Sequence, residues 1–157
     1  MSFKRMSVQM LGHNSATMVA LGRGRPHIVK LVDGTAGLLN SILAVHPDVT
    51  VIWRVVVPPE SLPMTADMGR EWGDRMARIA DGLARKVSWF ESPANERSDN
   101  INVVAIQRQC EFDVAFANRL RTHGLKSIVG HFATGNPDAT AGHWEYYHPA
   151  IDRKSVV

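Results

Sequence analysis

The chain has 157 residues, of which 45% are hydrophobic, and this is enough apolar material for a globular domain with a buried core. Its formal charge of +3 is small, and the Lys and Arg residues are scattered among carboxylates, which argues against a nucleic-acid partner. A single cysteine, Cys110, excludes an internal disulfide framework and a cysteine-rich zinc site, and its place in an amphipathic stretch marks it as a small core residue.

Lys4 and Arg5 make a basic start, but no uninterrupted apolar run of signal-peptide type follows. No later run is long enough to cross a bilayer, so a cytoplasmic protein without a membrane partner is expected. The first strand is expected over residues 7–13. A short helix or turn through Met18, Val19 and Leu21 follows, punctuated by Gly22, Arg23, Gly24, Arg25 and Pro26. That glycine run lacks dinucleotide-binding or P-loop spacing and reads as a turn. The second strand, residues 27–33, is rich in β-branched Ile28, Val29 and Val32. A helix from about Thr35 gathers Leu38, Leu39, Ile42 and Leu43 on one face, and His46-Pro47-Asp48 stops it.

The third strand, residues 49–57, is almost continuously apolar, as befits a strand covered on both faces of a parallel sheet, and Pro58-Pro59 ends it. The next helix, residues 69–84, has an inward stripe of Trp72, Met76, Ile79 and Leu83. The fourth strand, residues 87–92, leads through Pro93-Ala94 to Asn95-Glu96. A long helix over residues 100–123 repeats Val103, Ile106, Cys110, Val114, Ala117 and Leu120 near a 3.6 period, and Gly124 is its C-terminal stop. The fifth strand, residues 127–133, opens into Thr134-Gly135-Asn136-Pro137, and the aromatic segment 143–148 begins a further helix.

This alternation predicts an α/β fold with about five parallel strands. It suits an incomplete (β/α) barrel of TIM type, with an open doubly wound five-stranded sheet as the alternative. Residues 152–157 resemble a translated sequencing adapter. The native barrel portion is therefore expected to span residues 1–151, with residues 152–157 as a non-native tail. A partial barrel would leave edges and apolar surface exposed, favouring self-association.

In either fold, chemistry gathers at the carboxyl ends of the strands. The polar residues there are His13, Asn14, Asp33, Arg54, Asn95, Glu96 and His131. Glu96 can serve as a general acid/base if burial raises its pKa, and Asn95 can bind a substrate hydroxyl. Asp33 and Arg54 can bind sugar hydroxyls or orient Glu96, although a structural ion pair suits either of them better. His13 and His131 are candidate substrate contacts, but two separate histidines do not define a metal site, so neither metal nor cofactor is expected. His143, Trp144, Tyr146, Tyr147 and His148 could stack on sugar or bind metal, but read more simply as helix-packing and loop residues.

The segment from Val87 to Glu96, with Asn95-Glu96 closing the fourth strand, resembles the large clan of retaining glycoside hydrolases built on (β/α) barrels. Phe116-Ala117-Asn118-Arg119-Leu120, Gly124-Leu125-Lys126 and Val129-Gly130-His131-Phe132 are similar to the following helix and fifth strand of such enzymes. The resemblance covers most of residues 6–151. It implies that Glu96 is the acid/base, that the ligand is carbohydrate, and that the nucleophilic carboxylate lies at the end of a seventh strand.

Many clan members follow Asn-Glu with Pro, whereas this chain has Arg97, a cation that would lower the pKa of a neighbouring carboxyl. The expected function is a fragment of a glycoside hydrolase-like protein, the fragment itself being inactive for want of a nucleophile. The alternatives are a non-catalytic carbohydrate-binding barrel and an unrelated open-sheet α/β ligand-binding domain.

Overall fold

A computed structural model describes residues 7–10, 15–58, 62–94, 102–130 and 141–152. Five strands form one parallel sheet: β1 (Ser7–Met10), β2 (Ile28–Val32), β3 (Thr50–Arg54), β4 (Trp89–Glu91) and β5 (Lys126–Ile128). Four helices connect them in turn: α1 (Ser15–Gly24), α2 (Ala36–Val45), α3 (Ala66–Gly82) and α4 (Val103–Thr122). A 3-10 helix, His143–Tyr147, then runs into α5 (His148–Asp152). None of the described helices is long and apolar enough to cross a membrane.

The strand order in space is the order in sequence, β1-β2-β3-β4-β5. Crossovers between parallel strands are almost always right-handed, so a chain that always advances in one direction lays every connecting helix on the same face. A doubly wound sheet instead reverses direction at a switch point. The main apolar cluster lies on the helix side of the strands. Val29, Leu31, Val51, Trp53 and Phe90 are buried in one apolar cluster with Leu39 and Ile42 of α2, Met76 of α3, and Phe112 and Phe116 of α4. The alternate residues Ile28, Lys30, Ile52 and Trp89 lie on the other face and outside that cluster. The strand order and packing are thus consistent with an incomplete (β/α) barrel, and among the described residues β1 and β5 are the sheet edges.

Local chemistry sets the element ends. Thr35, Thr65 and Asn102 each cap a helix by accepting a backbone N–H three residues on, from Leu38, Met68 and Ala105. The glycine run expected to break α1 instead forms its last turn. The stop comes one residue later, where Arg25 adopts a left-handed conformation (φ 40°) ahead of Pro26. β3 is shorter than its apolar run because its neighbour ends first. Asp33 turns left-handed (φ 45°), and its carboxylate takes the Val56 N–H at 2.9 Å in place of a ladder partner. Gly124 (φ 70°) follows α4 in the left-handed conformation expected of a helix stop.

α4 carries more than one stripe. Phe112, Phe116 and Leu120 join the main core, whereas Ile106 and Cys110 pack with Tyr147 and Ala150 in a second cluster. The expected stripe traced mainly the second side and took only Leu120 from the first. Cys110 is buried, as its position implied.

Candidate functional site

The carboxyl ends of β2, β3 and β4 lie side by side, and their residues on the open face form a charged group. Parallel register sets Arg54 opposite Val32, while Ile52 and Trp53 pair with Trp89 and Phe90, which carries Arg54 on to the level of Glu91. Glu91 is 1% exposed, and its carboxylate meets Lys30 Nζ at 2.7 Å and Arg54 Nε at 3.6 Å. Lys30 stands two residues before Val32 on the same face of β2, so its long stem carries the ammonium up to the carboxylate. An ionised carboxylate buried this deeply would be costly alone, and the two cations offset that cost.

Of the residues singled out from sequence, Asp33 and Arg54 are brought together. The Asp33 N–H donates to the Arg54 carbonyl at 2.9 Å, and the exposed Asp33 side chain holds the Val56 N–H. Arg54 is buried and directed at Glu91, so its structural ion pair is observed, and recruiting it to a ligand would strip Glu91 of one cation. His13, Asn14, Asn95, Glu96 and His131 lie outside the described residues.

On the helix side of β4, a second buried polar group holds the start of the loop that leads to Asn95-Glu96. Ser92, the first residue after β4, continues the ladder by donating its N–H to Ile128 O at 2.8 Å. Its hydroxyl donates to Asp113 Oδ1 at 2.5 Å and accepts the Ala94 N–H at 3.2 Å. Gln109 Nε2 donates to Ala94 O at 2.7 Å, and the same amide bonds Asp113. The Tyr147 hydroxyl donates to Asp113 Oδ2, and the Gly130 backbone beyond β5 also bonds that carboxylate.

Ser92, Gln109, Asp113 and Tyr147 are each 0–1% exposed. Burial pushes the Asp113 carboxyl up to about 6, against the hydrogen bonds from Ser92, Tyr147, Gln109 and Gly130 that favour its charged form. Burial, together with the facing Asp113, also pushes the Tyr147 phenol well above its usual range, so it remains a hydrogen-bond donor.

Neither Lys30 and Glu91 nor the Asp113 group was singled out from sequence. The second had a readable signal. Gln109 and Asp113 are four apart on α4, flanked by Phe112 and Phe116, so two polar side chains fall inside a wide apolar arc. Glu91 had a weaker signal, a carboxylate two residues after Trp89 in a short strand, and its partners came from other strands. In the aromatic segment, Tyr147 is buried as helix packing requires, whereas Trp144 and Tyr146 are 38% and 41% exposed. Among the described residues, no group of three or more His, Cys, Asp or Glu side chains is placed to hold a metal ion. No known family model matches the chain, and no curated protein matches it.

Proposed function

We propose that the chain forms the carbohydrate-binding and acid/base portion of a glycoside hydrolase-like barrel, with Glu96 as the proton donor and Asn95 binding a sugar hydroxyl. The carrying observation is the sequential parallel sheet, in which Asn95-Glu96 follows the fourth strand. In a barrel, that is the catalytic rim. Ser92 and Ala94, two of the three residues between β4 and Asn95, are tied to α4 through Asp113 and Gln109, which suits a loop that must place a side chain accurately.

A two-carboxylate mechanism needs a partner about 5–5.5 Å from Glu96 if stereochemistry is retained. On the open face of β4 the carboxylate is Glu91, and it is committed to Lys30 and Arg54. Glu91 is therefore not proposed as that partner, and the 157-residue chain is expected to bind sugar without cleaving it. Arg97 supports a second reading, a non-catalytic binding barrel, because an adjacent cation holds a carboxyl in its charged form.

Calorimetric titration of the 157-residue chain with a panel of neutral oligosaccharides tests the shared part of both readings. Saturable binding, weakened about fivefold by Asn95→Ala, is expected, and failure of the whole panel to bind overturns it. Carbon NMR of the Glu96 carboxyl separates the readings: a midpoint above about 6 suits an acid/base, and one below about 4 suits binding alone. Aryl-glycoside turnover by this chain that vanishes in Glu96→Gln would refute its expected inactivity.

A further inference from the structure

We propose that Asp113 is a positioning residue whose carboxylate pins the turn leading from β4 into Asn95 and Glu96, and that protonation of this carboxylate loosens the pin. The pin follows from the geometry alone. Its bearing on Glu96 rests on the function proposed above.

Asp113 gathers groups from four parts of the fold: Ser92 after β4, Gln109 on its own helix, the Gly130 backbone after β5, and Tyr147 of the 3-10 helix. Two of these partners extend the hold to Ala94, whose N–H reaches Ser92 Oγ and whose carbonyl receives Gln109 Nε2. Both backbone groups of Ala94, two residues before Glu96, therefore depend on side chains that Asp113 orients.

The shell around Asp113 is made of donors, which suits an ionised carboxylate. A protonated carboxyl must place one hydrogen, and the side-chain oxygens that can take it are the hydroxyls of Ser92 and Tyr147. Ser92 Oγ already accepts from Ala94 N–H and its own O–H donates to Asp113, so taking the carboxyl hydrogen forces that O–H to leave Asp113 and reorganises the contact that holds the turn. Among the described residues no cation offsets the buried charge within this shell, and burial raises the Asp113 pKa to about 6, which brings the change close to neutral pH.

Among the described residues, the titratable groups that act on this cluster are Tyr147, held protonated, and the Cys110 thiol, which acts on Tyr147. Ser92 and Gln109 carry no charge, and Lys30, Arg54 and Glu91 occupy the opposite face of the sheet.

Carbon and nitrogen NMR of the full chain provide the test. The Asp113 carboxyl carbon and the amides of Ser92, Ala94 and Gly130 should share one titration step with a midpoint at about 6. Asp113→Asn should abolish the step at all three amides. Tyr147→Phe removes one donor to the charged form and should raise the midpoint by about one unit. This second variant keeps the test decisive if Asp113→Asn does not fold.

A carboxyl that titrates at the ordinary Asp value of 3.8, an amide step that persists in Asp113→Asn, or a midpoint unmoved in Tyr147→Phe overturns the proposal. Oligosaccharide affinity measured across the same step separates the two readings. A parallel change supports both, whereas a constant affinity with the amide step intact supports the pin and overturns the assignment of Asn95-Glu96 as the sugar site.

Discussion

Glu91 and Asp113 show two ways of burying a carboxylate within one small fold. Glu91 is matched by cations, Lys30 at 2.7 Å and Arg54 at 3.6 Å, whereas Asp113 is matched by neutral donors. The consequences of removing them differ accordingly. Glu91→Gln leaves two cations facing each other across a covered site, and should cost about 3 kcal/mol in urea denaturation. A loss below about 1 kcal/mol would show that water screens the group despite its burial.

Asp113 has its effect through pH. Its folded pKa of about 6 lies above the ordinary 3.8, so the folded state holds the proton more tightly than the unfolded chain. The stability linked to this site is complete below the unfolded value and is lost as pH rises through the folded one. The difference corresponds to about 3 kcal/mol. Asp113→Asn should therefore gain on the native chain as pH rises from about 4 to about 7, and equal stability differences at both ends of that range would contradict the raised pKa. Asp74 works in the other direction: Arg119 and then His123 hydrogen-bond its carboxylate and lower its pKa. Its contribution is present above the unfolded value and is lost in acid, outside the window that reports Asp113.

At the scale of elements, the tightest junction is that between α3 and α4. A Cβ on Gly69 would run into the Phe112 carbonyl oxygen, and one on Gly73 would come within 2.6 Å of Arg119 Cβ. Backbone cannot swing aside as a flexible side chain can, so Gly69→Ala must push the helices apart. The better helix propensity of alanine returns about 1 kcal/mol, against an overpacking cost of about 1–3 kcal/mol, and a net loss of up to about 2 kcal/mol is expected. Gly82 in the last turn of α3 has open space around it, so Gly82→Ala should be neutral or stabilising by up to about 1 kcal/mol. Equal melting-temperature shifts for the two variants would show that propensity, not close approach, governs both sites.

The same junction explains which elements could be read in advance. α3 has one buried side, and its Trp72 and Met76 stand out at helical spacing. α4 is buried against both the core and the C-terminal segment, so a single 3.6 period cannot describe it. β4 and β5 have three residues each, and their limits depend on which neighbours they find rather than on their own composition.

For the whole molecule, sequence conveyed the parallel α/β class through its alternation of apolar runs. It could not convey that the main apolar cluster lies on one face of the sheet and the Glu91 charged group on the other, because that follows from the spatial order of the strands. Asp33 and Arg54 were visible as polar residues after strands, whereas the ion pair that occupies Arg54 required β4 to lie beside β3. The open face bears Ile28, Ile52 and Trp89 beside Lys30 and Glu91, and Ile28 is 37% exposed.

Two routes to self-association follow from this sheet, edge pairing and burial of the face that carries Ile28. Among the described residues β1 and β5 are the edges, with four and three residues in strand, so the described edges offer few backbone groups to another chain. The apolar face is therefore the stronger driving force. Sedimentation velocity from about 10 to about 300 μM should show a rising weight-average coefficient, and Ile28→Lys should suppress the rise by placing a charge on that face. A rise that survives Ile28→Lys unchanged would assign association to the edges, and a constant coefficient for the native chain would show that the open face does not drive association in this range.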